Sequence, residues 1–250
     1  MLVIYLYILG DRMMWFTSPT AIRYNNRINR VLRIFEQYRP RNFHDIGCGE
    51  GHIAIAIKGY SDTSNVFGLD IDENAIKLCQ SRGINSIKLN LDEESLPFLK
   101  NSFDGIFCGE LIEHLKDTDH LLEEINRVLM PNGIVVLTTP NLAAWYNRLA
   151  LLFGYQPFHT STGYKFNVGK FMRFGDDGGQ HIRVFTYKAL IQTVLLHKFD
   201  IVQIYGAYQP YSPEYAPHLI RAYNLVGKIT SNFPSISGDL IFVLRRVSKN

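Results

Sequence analysis

The chain has 250 residues, 46% of them hydrophobic and 20% charged, which is the composition of an ordinary globular protein of one domain with an elaboration. A formal net charge of +3 is too small to argue for a nucleic-acid partner. The three cysteines, Cys48, Cys79 and Cys108, are odd in number and lack metal-type spacing, which argues against a disulfide framework and for a reduced, cytoplasmic setting.

The chain opens on an apolar run from Leu2 to Leu9. It is too short to span a bilayer and lacks the flanks of a signal peptide. Residues 1–20 read as an N-terminal extension: a packed segment, or residues ahead of a start at Met13 or Met14. Peripheral membrane contact is the minor alternative. Residues 21–250 read as one domain.

From Ala21 to Tyr38, apolar residues recur with helical period at Ile28, Val31, Leu32 and Phe35. A strand over Asn42–Ile46, a helix over Gly51–Tyr60 and a strand from Val66 to Leu69 follow. A helix over Glu73–Arg82 is closed by Gly83, and a short strand covers Ser86–Leu89. Phe103–Cys108 reads as a strand, Asp119–Met130 as an amphipathic helix, and Ile134–Thr138 as a nearly all-apolar central strand. The alternation predicts an α/β fold with a doubly wound, Rossmann-like sheet. It breaks between Asn141 and Phe185, where no strand period is visible. Nine aromatics fall between Trp145 and Phe174, and Arg148, Lys165, Lys170, Arg173 and Arg183 face only two Asp. A helix over Thr186–His197 and strands over Phe199–Tyr205 and Asp239–Arg245 complete the pattern, with a further helix expected between Pro213 and Gly238.

The chemistry centres on Asp45-Ile46-Gly47-Cys48-Gly49-Glu50-Gly51, a strand-to-helix turn spaced G-x-G-x-G. A dinucleotide fingerprint needs its third glycine at position 52, and a P-loop needs a Gly-Lys-Ser/Thr that is absent. Asp45 and Glu50 would also repel a pyrophosphate. A ligand cationic at its working end fits better. S-adenosylmethionine (SAM) carries a sulfonium and an ammonium and no phosphate. Asp45 would attract that charge, and the glycine amides would meet the carboxylate. Asp70, at the tip of the second strand, suits a carboxylate accepting two ribose hydroxyls. The bland alternatives are an ordinary βα turn and a helix cap, though Asp72 suits the cap better.

Asp45 to Gly51, Gly68-Leu69-Asp70-Ile71, Leu96-Pro97-Phe98, Ser102-Phe103-Asp104, Glu110 to Leu115 and Pro131 to Ile134 form an ordered set. The set resembles the class I SAM-dependent methyltransferases of the small-molecule type, over about Phe43 to Pro140. The resemblance implies a seven-stranded sheet with its last strand antiparallel and SAM as cofactor. It implies that Asp45, Gly47, Cys48 and Gly49 meet the amino-acid part, and that Asp70 and Ile71 meet the ribose and adenine. The adenine-end contact falls in Asn90-Leu91-Asp92, with both Asn90 and Asp92 open. Glu110 is a further candidate contact to the cofactor.

Glu110, Glu113 and His114 share a face if the backbone there is helical, and two carboxylates with an imidazole suit a divalent metal. The pattern resembles the Glu-x-x-Glu-His element of metal-dependent O-methyltransferases, and His181 is the candidate for a completing ligand. Without metal, His114 or His181 would serve as general base on a hydroxyl. Many metal-free members of the fold carry a similar Glu-His, so a positioning role is the bland alternative. Segment 141–185 reads as an acceptor-binding lid, with simple packing of an extra core as its alternative. The expected activity is methyl transfer to a hydroxyl of a small-molecule, glycan or lipid acceptor. The alternatives are ribose methylation at an RNA end, a SAM-binding protein without turnover, and a dehydrogenase.

Overall fold

The computed structural model describes residues 26–61, 63–163, 167–171, 181–210 and 217–247. The N-terminal extension, Tyr164 to Phe166 with Lys165, and Met172 to Gln180 with Arg173 lie outside the described residues.

Helix α1 (Asn26–Tyr38) leads into β1 (Asn42–Ile46), α2 (His52–Ser61), β2 (Asn65–Asp70), α3 (Glu73–Ser81) and β3 (Asn85–Lys88). Then come β4 (Phe103–Gly109), a 3-10 turn at Ile112–His114, α4 (Thr118–Val128), β5 (Leu129–Pro140) and α5 (Trp145–Leu152). The chain closes with α6 (Tyr187–Leu196), β6 (Phe199–Ala207), α7 (Pro217–Thr230) and β7 (Asp239–Arg246). The seven strands lie in the order β3-β2-β1-β4-β5-β7-β6. All neighbours are parallel except those of β7, which runs antiparallel to β5 and β6. The doubly wound sheet with an antiparallel last strand is therefore as the sequence predicts.

Both faces of the sheet are covered, which explains the continuous apolar runs. One core joins Ile106, Val135, Leu137 and Phe242 to Leu121, Leu122 and Ile125 of α4. The other joins Phe43, Phe107 and Val136 to Val31 and Phe35 of α1 and Ile57 of α2. Removing such fully buried apolar side chains from water stabilises the fold by roughly 1.5–3 kcal/mol each.

Two boundaries differ from expectation. The helix expected to reach Met130 ends at Val128, and Leu129 pairs with Phe103 as the first residue of β5. Asp117 rather than Asp119 governs its start, its carboxylate accepting from the His120 amide at 2.9 Å. Segment 141–185 contains a helix, α5, that no amphipathic period announces. The two ends of the segment meet: Asn141 bridges to Phe185, and the Leu142 amide donates to the Phe185 carbonyl at 2.9 Å.

Candidate active site

Parallel strands β1 and β4 are neighbours, so the glycine loop after Ile46 and the turn after Gly109 leave the sheet side by side. This is the crevice at the carboxyl ends of strands where α/β folds bind ligands. Gly47, Gly49 and Gly51 have φ of 78°, 51° and 80°, a left-handed run that side chains resist. Gly51 also lets Cys79 in, since a Cβ there would stand 2.6 Å from its Sγ.

The Gly47, Cys48 and Gly49 amides are engaged within the protein. Gly47 and Cys48 both donate to the Leu69 carbonyl at 2.9 Å, and Gly49 donates to Asp70 Oδ2 at 2.9 Å. The Cys48 side chain turns inward, 3.8 Å from Cys79 Sγ. What the loop offers is close approach: a Cβ on Gly49 would meet nothing within 4 Å. Asp70 closes the loop, its Oδ1 taking the Asp72 amide at 3.0 Å, yet each carboxylate oxygen keeps a second lone pair for a hydroxyl. Ile71 beside it is exposed.

Asp45 is buried, and its Oδ2 has no hydrogen-bond partner. Burial, with Cys79 and Asp70 nearby, holds its carboxyl well above the usual range, although the Ala54 amide opposes the shift. A buried, incompletely partnered carboxylate facing an open glycine turn fits a cationic ligand such as SAM. On the adenine side, Asp92 Oδ1 accepts the Lys116 amide at 2.8 Å and braces the next loop. Asn90 Oδ1 takes the Asp92 amide at 3.2 Å, and Leu91 is buried.

The stretch after β4 is not the α-helix that would put Glu110, Glu113 and His114 on one face. Glu110 takes φ 53°, and only Ile112–His114 form a 3-10 turn. Glu110 turns away from the imidazoles and pairs with Arg27 of α1, whose guanidinium is 1% exposed and lies 3.7 Å from Asp239 of β7. Thr138 Oγ1 donates to Glu110 Oε1 at 3.2 Å. Glu110 therefore drops out of the expected cluster.

Glu113, His114 and His181 do come together, with one ligand atom from each lying within 4.8 Å of the others. The cause is backbone pairing. The Ile182 and Arg183 amides donate to the Glu113 carbonyl at 2.8 and 3.1 Å, and the Arg183 guanidinium donates to the Lys116 carbonyl. That seats His181 against His114, with ring centroids 4.7 Å apart. His181 Nδ1 donates to the His159 carbonyl at 2.8 Å, which fixes the tautomer and leaves Nε2 as an acceptor. Glu113 is fully buried; Thr139 Oγ1 donates to its Oε2 at 2.9 Å, and its Oε1 has no partner. Burial and Glu110 hold its carboxyl well above the usual range. An orphaned carboxylate oxygen beside two imidazoles, one with a fixed tautomer, fits a divalent cation. Arg27, Asp239, Thr139 and His159 are functional neighbours missing from the sequence reading. Arg27 alone had a signal: it sits one helical turn before Val31, on the apolar stripe of α1.

The sheet order and the crevice are those of the Rossmann-like architecture that class I methyltransferases share. More particularly, residues 44–137 match the model of a methyltransferase domain. Demethylmenaquinone methyltransferase of Staphylococcus aureus is 32% identical over 149 residues, covering 51% of this chain and 61% of that protein. The human mitochondrial arginine-hydroxylase NDUFAF5 is 35% identical over 100 residues, covering 39% of this chain and 29% of that protein. A SAM-dependent methyltransferase from Mesorhizobium loti superposes with TM-score 0.56 at 18% identity, over 87% of this chain and 96% of that one. Another from Archaeoglobus fulgidus gives TM-score 0.57 at 18% identity, over 88% and 91%. The chain thus spans less than two thirds of the lengths of these sequence relatives. Their names include a methyltransferase and a hydroxylase, so the domain alone does not fix the reaction.

Proposed function

We propose that the protein transfers a methyl group from SAM to a hydroxyl oxygen of a small-molecule, glycan or lipid acceptor. The observation that carries the reading is the pairing of two sites in one crevice: the orphaned carboxylate of Asp45 at the glycine turn, and the Glu113–His114–His181 cluster beside it. SAM, when bound, supplies a methyl group on a sulfonium, whose C–S bond breaks as the O–C bond forms. Asp45 holds the cationic end of the donor, Asp70 takes the ribose, and Ile71 with Asn90 and Leu91 borders the adenine. Asp92 contributes by bracing the loop at Lys116.

At the acceptor end, Glu113, His114 and His181 would hold a divalent cation, which would supply Lewis-acid polarisation of the acceptor hydroxyl. With the cation held, the hydroxyl proton would leave to solvent; without it, His181 Nε2 is the acceptor for that proton. Segment 141–185 covers the acceptor and keeps water out, which an in-line displacement needs more than elaborate acid–base machinery.

The test is mass spectrometry of cell extract incubated with the protein and isotopically labelled SAM, with and without EDTA. The expected result is a labelled O-methyl product that disappears on chelation and returns with Mg2+ or Mn2+. Labelling unchanged by EDTA but lost in His181→Ala would overturn the metal role and leave His181 as general base. Label recovered on carbon or nitrogen would overturn the hydroxyl acceptor.

A further inference from the structure

Helix α5 ends in an exposed apolar tip. Leu151 is exposed, and Leu152 and Phe153 stand 74% and 72% exposed. Helix α7 meets the start of α5 at Tyr223, whose ring centroid lies 5.9 Å from that of Trp145 and 6.2 Å from that of Tyr146, and Arg148 Nη2 donates to the carbonyl of Ser235, in the turn after α7, at 3.0 Å. Along α7, Leu225 and Ile229 share a stripe and are 60% and 53% exposed. Arg221, one turn before Leu225, and Lys228, beside Ile229, are exposed on its flank. Large apolar side chains are thus exposed on both of these contacting helices, a feature that marks interaction surfaces when such side chains gather.

Charge says what covers it. No Asp or Glu occurs from Asn141 to Phe171 or from Tyr215 to Gly238, although the chain holds 23 acidic residues in all. Among the described residues of α5 and α7, the Arg and Lys side chains are Arg148, Arg221 and Lys228, and neither helix has an acid to offset them. A symmetric contact with a second copy would set this face against itself, cation against cation. A headgroup layer of anionic lipid meets both needs, taking leucine and phenylalanine tips below and arginine and lysine at its surface.

A chain of ring contacts links the junction of α5 and α7 to the site. Trp145 touches Tyr146 at 5.6 Å, Tyr146 touches His159 at 6.5 Å, and His159 touches His181 at 5.7 Å, all between ring centroids. We propose that the exposed tip of α5 and the Arg221–Ile229 face of α7 seat the protein on an anionic lipid surface beside its acceptor site. The choice of a membrane-borne acceptor within the proposed activity rests on the methyltransferase reading; the docking itself does not.

The test is co-sedimentation of the full chain with vesicles of phosphatidylcholine, with and without phosphatidylglycerol. Anionic vesicles should bind and neutral ones should not. The double variant Leu152→Ser, Phe153→Ser should bind at least roughly tenfold more weakly, given the apolar area removed from the lipid. Arg221→Gln with Lys228→Gln should lose the preference for anionic lipid. SAM titration of each variant, matching the unaltered chain, shows that the fold is intact. Failure of the full chain to bind anionic vesicles overturns the proposal. So does binding undiminished in the Leu152, Phe153 variant, which would move the contact elsewhere in the chain. A dimer in lipid-free solution that this variant dissociates assigns the face to a second copy, and also overturns it. Vesicle binding without any SAM binding would sink the methyl-donor reading while upholding the docking.

Discussion

Replacing Asp45 with asparagine tests the donor site most directly. The side chain keeps its shape but loses its charge, and Asp45 is buried with one oxygen unpartnered. A hydrogen bond between charged groups contributes about 1.5–3 kcal/mol, so Asp45→Asn should weaken SAM binding roughly tenfold to a hundredfold. The pH dependence is the sharper consequence. Burial raises the Asp45 pKa in the free protein, so below that pKa the carboxyl holds a proton. A cationic ligand needs the carboxylate, and binding must expel the proton. Affinity should therefore fall about tenfold for each pH unit below the Asp45 pKa. Isothermal titration across a pH series, in two buffers of different ionisation enthalpy, measures both affinity and proton release. A side-chain amide cannot titrate, so the Asp45→Asn variant should show a flatter profile and lose that proton release. Equal affinities for the two proteins at every pH would refute the argument.

Two further predictions concern buried charge. Arg27→Met leaves Glu110 and Asp239 without their cation and should cost about 3–5 kcal/mol in urea unfolding. The cost should be larger at pH 8 than at pH 5, because Asp239 is pushed up to about 7 by burial and ionises between those values; an equal cost at both would count against the ion pair. His44, 0% exposed, has its pKa lowered to about 4 by burial from the ordinary 6.5. Its neutral form therefore adds stability above pH 6.5, and this is lost as pH falls towards 4. The shift amounts to about 3 kcal/mol. The ring stacks on Phe103 at 4.7 Å, so His44→Phe should keep the packing and flatten that acid-side decline, as denaturation at pH 4.5 and 7 would show.

The sheet is legible in the sequence because its cues are local. Alternating elements, glycines at the β1 turn and an acid at the tip of β2 each follow from nearby residues. The site past β4 is legible only in composition. Glu110 and Glu113 look equivalent in sequence, yet Glu110 takes a left-handed backbone and a distant arginine while Glu113 turns into the core. The partner that decides this, Arg27, lies 83 positions away. His181 reaches His114 through two amides that find the Glu113 carbonyl, a pairing with no side-chain pattern to reveal it. Helix α5 is hidden because Trp-Tyr-Asn-Arg-Leu-Ala-Leu-Leu is apolar on nearly every side, and a helix exposing leucine has no amphipathic period.

The bridge between Asn141 and Phe185 has a consequence for engineering. The excursion's two ends are hydrogen-bonded neighbours, and its further ties to the domain run to the loop after β4, at Glu113 and Lys116, and to the turn before β7, at Ser235 and Ile236. A shorter or unrelated cover spliced between those two residues would inherit the same closed base, much as a tool head fits a common shank. The donor crevice, built from β1, β2 and β4, would be left untouched. Within the proposed function, exchanging that one contiguous stretch of gene replaces the acceptor cover together with His181 and leaves the part that grips the donor in place.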